Sequence, residues 1–135
     1  MIKVIMGLKG SGKTKKLIDS INATAASAQG SVVCIEYGSN LRYEVKSSVR
    51  LVSSKEYGIN NLDMLKGFLS GLHAGNYDIT NVYIDNLYKT IGNDRAIGES
   101  FILWCAEFAK ANDMNITLTV SDDPEQASED VKAYL

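Results

Sequence analysis

The stretch Gly7-Leu8-Lys9-Gly10-Ser11-Gly12-Lys13-Thr14 fits the pattern G-x-x-x-x-G-K-[ST] and dictates what must surround it. Before it, Ile2-Lys3-Val4-Ile5-Met6 reads as a buried strand. After it, Leu17, Ile18, Ile21, Ala25 and Ala28 recur at helical spacing. Gly7, Gly10 and Gly12 let the backbone turn tightly and bring bare N–H groups to one point. With Leu8, Lys9 and Ser11 they are expected to form a nest for phosphate, helped by the partial positive charge of the following helix. Lys13 is expected to neutralise the β- and γ-phosphates and Thr14 to ligate Mg²⁺. ATP or another nucleoside triphosphate, with Mg²⁺, is therefore the expected ligand. The alternative is a glycine-rich turn that binds nothing, which leaves the agreement of strand, loop and helix unexplained.

Length and composition set outer bounds. A chain of 135 residues, 45% apolar, is expected to form one domain over 1–135 with a real core. A net charge of −2 argues against a nucleic-acid binder working by bulk electrostatics. No apolar run approaches the ~18–20 residues of a membrane span, and Met1–Met6 is too short for a signal peptide. Cys34 and Cys105 lack C-x-x-C partners and read as reduced, buried small hydrophobes. A cytoplasmic protein is the expectation.

Further along, Gly30 is expected to cap the first helix in a left-handed conformation. Val32–Ile35 then reads as a strand covered on both faces, closing on Glu36. Val49–Val52 suggests a short edge strand, and Tyr43–Lys46 a segment that pairs with a neighbour. From Asn60 or Asn61, the residues Leu62, Leu65, Phe68, Leu69 and Leu72 form a helical stripe. Gly67 and Gly71 on that helix are expected to mark close packing against the sheet. Asn81–Ile84 is a strand closing on Asp85. A long helix opens at Asn93 or Asp94 and carries Ile97, Phe101, Trp104, Phe108 and Ala111 as its core face. Asn115–Ser121 is another strand, and Asp123-Pro124-Glu125-Gln126 starts a last helix that docks through Ala127, Val131 and Tyr134. Strands alternating with helices imply an α/β fold with a mainly parallel sheet and helices on both faces. Ligands in such folds bind beyond the carboxyl ends of the strands, where Glu36, Asp85 and Ser121 all fall.

Four mostly apolar residues followed by Asp85 resemble the Walker B strand of P-loop NTPases. Together with residues 7–14 and the strand pattern, the likeness covers most of the chain. It implies a three-layer P-loop NTPase fold in which Asp85 holds Mg²⁺ beside Thr14. Many hydrolysing members place a glutamate directly after the Walker B acid, but here that position is Asn86. Recombinase-like members, in the branch shared with AAA-like proteins, carry it at the end of the strand after the loop helix. The likeness thus makes Glu36 the candidate general base. It also places Thr119 and Ser121 where a hydroxyl senses the γ-phosphate, which implies the order 2-3-4-1 for the four clear strands. Arg42 and Arg95 are the options for an arginine finger. The chain is similar, too, to short stand-alone bacterial P-loop proteins, some of which carry the label of the twitching-motility (PilT-type) retraction ATPase. The shared residues are Gly7, Gly10 to Thr14 and the Walker B pattern. They imply ATP binding and not pilus retraction.

The resulting expectation is a Mg²⁺-dependent ATP-binding protein with slow hydrolysis, acting as a switch or as a subunit of a homo-oligomer or larger assembly. A small-molecule or nucleoside kinase, and a nucleotide-sensing scaffold without turnover, are the alternatives.

Overall fold

Alternation of buried Ile2 and Val4 with exposed Lys3 makes the first strand, β1 (Ile2–Gly7), in a computed structural model that describes residues 1–135. The chain continues through α1 (Lys13–Ser27), β2 (Ser31–Glu36), β3 (Arg50–Ser53), α2 (Leu62–Gly75), β4 (Ile79–Ile84), α3 (Leu87–Ile91), α4 (Arg95–Ala111) and β5 (Asn115–Ser121). A 3₁₀ turn (Pro124–Gln126) and the short α5 (Glu129–Lys132) complete it. All five strands are parallel, in the order β1-β5-β4-β2-β3. The four clear strands thus follow the order expected of them, and β3 adds the edge next to β2.

Period-two alternation divides the core between the two faces of this sheet. From β2, Val32 and Cys34 point toward α1 and join Leu17, Ile18 and Ile21. Val33 and Ile35 point the other way, to Leu65 and Leu69 of α2 and to Phe101, Ile102 and Cys105 of α4. Each cysteine is free and fully buried, one in each layer. On the outer side of β1 the Val4 N–H donates to the Tyr134 carbonyl at 2.9 Å, so the C-terminal turn covers part of that edge.

Several local expectations fail for identifiable reasons. Tyr43–Lys46 is not a strand. It lies in turns, with Glu44 and Val45 N–H both donating to the Leu41 carbonyl. Asn22 of α1 clamps it, donating to the Glu44 carbonyl and accepting from the Lys46 N–H, both at 2.9 Å. Gly30 does not adopt positive φ. A Cβ there would collide with the Asp78 carbonyl, so glycine serves a close backbone crossing instead. The buried face of α4 is Gly98, Phe101, Ile102, Cys105 and Ala109, while Ile97 and Ala111 are exposed. Trp104 and Phe108 are partly covered and stack at 4.8 Å. Hydrophobic spacing found the helix but placed its face a fraction of a turn off. The last helix is broken in two: Asp123 caps the 3₁₀ turn, and Ser128 starts α5 afresh.

Gly67 and Gly71 do not pack against the sheet either. Both are exposed on α2, and a Cβ on either would meet only open space. Each therefore only adds chain entropy to the unfolded state. Gly67→Ala and Gly71→Ala are each expected to raise stability by about 0.5–1 kcal/mol, measured as the shift in urea midpoint at unchanged slope.

Candidate functional site

The loop between β1 and α1 is held by its own backbone. Gly10 (φ 84°) and Gly12 (φ 83°) occupy the left-handed region, where a side chain is strained. The Ser11 N–H donates to the Leu8 carbonyl at 3.1 Å, and the Lys16 N–H to the Gly12 carbonyl at 3.2 Å. At Gly7 a Cβ would collide with Ser11 Oγ. Helix α1 then begins with no side-chain cap and no acid in its first turn. Lys13, Lys15 and Lys16 stand there instead, the wrong sign for a helix N-terminus. Lys15 is offset by Asp19 at 2.8 Å. Lys13 folds back so that Nζ donates to the Leu8 carbonyl at 3.1 Å. Free N–H groups and unopposed lysines at one helix end favour an anion there.

The opposite wall comes from the sheet. Register pairs Gly7 with Ser121 and Leu118 with Ile84, which sets Asp85 and Ser121 on the same rim as the loop. The buried Thr119 hydroxyl donates to Asp85 Oδ1 and accepts from the Asn86 N–H, both at 2.7 Å. Its hydroxyl hydrogen is thereby committed to Asp85, so Thr119 orients that acid. Thr14 Oγ1 donates to the same Asp85 oxygen across 3.5 Å, a long contact. Asn86 takes a left-handed backbone (φ 54°, ψ 67°), a conformation asparagine tolerates better than most residues. Between the two walls lies a cleft of about 390 Å³. It is lined by Lys9, Gly10 and Gly12–Lys15 on one side and by Asp85, Asn86, Thr119 and Ser121 on the other, with no apolar residue. Of the other loop residues expected to contact a ligand, Leu8 is 62% exposed and, like Gly7 and Ser11, is not part of the lining.

Glu36 is not in this cleft. It is only 5% exposed, and Oε1 accepts the Asn40 N–H at 2.8 Å while Oε2 accepts the Leu41 N–H at 3.2 Å. Burial pushes its pKa up, and the two amide bonds partly offset that. It anchors the 37–41 loop and borders a smaller cavity on the far side of Asp85. The arginines are also placed elsewhere. Arg95 forms a two-bond pair with Asp122, Nε to Oδ2 at 2.9 Å and Nη2 to Oδ1 at 2.7 Å, and Tyr88 donates its hydroxyl to Oδ2 at 2.7 Å. Arg42 lies over the exposed Tyr43 ring. Neither arginine lines the cleft.

The Arg95–Asp122–Tyr88 cluster has no signal in the sequence, since its members are 27 and 34 positions apart. The Arg95 guanidinium, then the Tyr88 hydroxyl and the Asp123 N–H, hold the Asp122 carboxyl well below the usual carboxylate range. A depressed folded pKa gives stability that is present above the unfolded value of about 3.9 and is lost as pH falls toward the folded one. Asp122→Asn is expected to cost about 1–2 kcal/mol at pH 7, with part of the pair screened because the Arg95 side chain is 45% exposed. Urea unfolding should show a smaller difference between wild type and variant at about pH 3 than at pH 7.

No group of three or more His, Cys, Asp or Glu side chains is placed to hold a metal ion, and no helix is long and apolar enough to cross a membrane. No protein-family model matches this chain, and no curated protein matches it.

Proposed function

We propose that this chain is a P-loop NTPase that binds ATP or another nucleoside triphosphate with Mg²⁺ in the cleft between residues 7–14 and Asp85, and hydrolyses it slowly. One observation carries the reading: the uncapped, lysine-bearing start of α1 faces a carboxylate fixed by Thr119, with Thr14 between them. In this reading the loop amides and Lys13 take the phosphates. Asp85 and Thr14 would hold the ion. A single carboxylate and a hydroxyl are hard oxygen donors, and Mg²⁺ commonly completes its shell with substrate phosphates and water. When bound, the ion supplies charge neutralisation on the β- and γ-oxygens.

Slow turnover follows from which groups are free. Asp85 is the only carboxylate lining the cleft, and it serves the ion. Asn86 cannot take a proton, and Glu36 has both oxygens bound by backbone amides. A loaded state that decays slowly suits a switch or an assembly subunit, as a homo-oligomer or in a mixed complex.

The test is calorimetric titration with ATP, with and without Mg²⁺, together with phosphate release. Mg²⁺-dependent binding with turnover well below ~1 s⁻¹ supports the reading; absence of binding ends it. Thr119→Val, which frees Asp85 to rotate, is expected to raise the Mg²⁺ requirement at least tenfold, and Thr119→Ser to restore it. Thermal melts of both variants separate this effect from misfolding.

A further inference from the structure

We infer that the chain carries a second anion seat, behind Asp85 and distinct from the loop cleft, that takes a small tetrahedral oxyanion: free phosphate or the phosphate group of a small monoester. The cavity there has a volume of about 170 Å³. It is less than half the size of the loop cleft.

Two lysines from separate elements border it: Lys55, in the turn after β3, and Lys89, in α3. The three ion pairs of the chain are Lys15–Asp19, Arg95–Asp122 and Lys132–Glu129, so both of these cations are unpaired. Their placement is built. Ser54 and Thr90, the immediate neighbours of Lys55 and Lys89, are buried and share a hydroxyl–hydroxyl bond of 2.9 Å that ties the turn to the helix. The Ser54 N–H donates to the Glu36 carbonyl at 2.8 Å and the Lys55 N–H to the Tyr37 carbonyl at 3.1 Å. Lys55 Nζ lies 5.8 Å from the centre of the Tyr37 ring.

Two carboxylates border the same cavity, and Oδ2 of Asp85 has no partner within the chain. Glu36 gives its two oxygens to the Asn40 and Leu41 amides, and Asp85 gives Oδ1 to Thr119. Gly38 also borders the space, its N–H donates to no group of the chain, and nothing lies within 4 Å of where its Cβ would stand. An anion can therefore approach the backbone there. Asp85 and Asn86 border this cavity and the loop cleft alike, so one thin wall separates the two.

The inference rests on these residues and goes beyond the nucleotide reading, and Lys13→Ala separates them. Inorganic phosphate is titrated into the full chain by calorimetry, with amide shifts followed by NMR. Lys13→Ala is expected to retain phosphate binding, with shifts at Gly38, Lys55 and Lys89. Lys55→Ala and Lys89→Ala should each weaken it about tenfold while leaving ATP affinity unchanged. Both lysines are exposed, so neither truncation disturbs the core. Methyl phosphate in place of the free ion distinguishes the sources: equal affinity assigns the seat to a monoester, and preference for the free ion assigns it to phosphate itself. No binding to Lys13→Ala up to about 10 mM, or binding indifferent to both lysines, overturns the inference.

Discussion

Lys13→Ala is expected to weaken ATP binding at least a hundredfold without weakening the fold. A charge-assisted bond to phosphate contributes about 1.5–3 kcal/mol, and a hundredfold loss corresponds to about 2.7 kcal/mol. The fold gains slightly, because the ammonium sits at the positive end of α1 and its only hydrogen bond is an exposed one to the Leu8 carbonyl. Removing a like charge from a helix terminus is worth about 0.3–1 kcal/mol. Titration calorimetry and a thermal melt on the same sample test both halves. Lost affinity with an equal or higher Tm is the expected pair of results; unchanged affinity removes the basis of the nucleotide reading.

Glu36→Ala is expected to be the most destabilising change at the rim, by about 2–4 kcal/mol. It leaves the Asn40 and Leu41 N–H groups without acceptors and opens a small void. Glu36→Gln keeps one acceptor but turns an NH₂ toward the second amide, for a cost of about 1–2 kcal/mol. Turnover per folded molecule should stay within a few-fold in the Gln variant. A loss of two orders of magnitude at near-normal stability would instead restore Glu36 as the base. The pH dependence has the opposite sign to that of Asp122. Because the folded pKa is raised, the contribution of Glu36 is fully present below its unfolded value of about 4.3 and is lost as pH rises through the folded one. Urea unfolding of wild type against Glu36→Gln across that range checks the sign.

How legible these features were from the chain alone depended on whether the cause was local. Residues 7–14 declare their turn because glycine at 10 and 12 is what a left-handed backbone requires. The long strands declare themselves through apolar runs or apolar–polar alternation, and Asn61, Asp94 and Asp123 through capping chemistry. Where the cause is a partner far along the chain, no pattern exists to read. Asn22 converts 43–46 from an apparent strand into turns, and Arg95 is withdrawn from the site by Asp122. Glu36 stands at the expected strand end, yet the amides of its own loop take both of its oxygens. Position along a strand told where that carboxylate begins, not what it touches. Thr119 shows the same limit: it lines the cleft, yet its hydroxyl hydrogen serves the neighbouring acid.

Cys34 and Cys105 lie in opposite layers of the sheet, and burial pushes both thiols up, out of the range in which thiolate forms at neutral pH. An alkylating reagent therefore meets neither until its own side of the molecule opens. Peptide-resolved labelling thus turns the pair into a clock with two hands, one reporting release of α1 and the other release of α2 and α4. Hands that advance together describe one cooperative unit; hands that part describe a molecule that loosens from one side first.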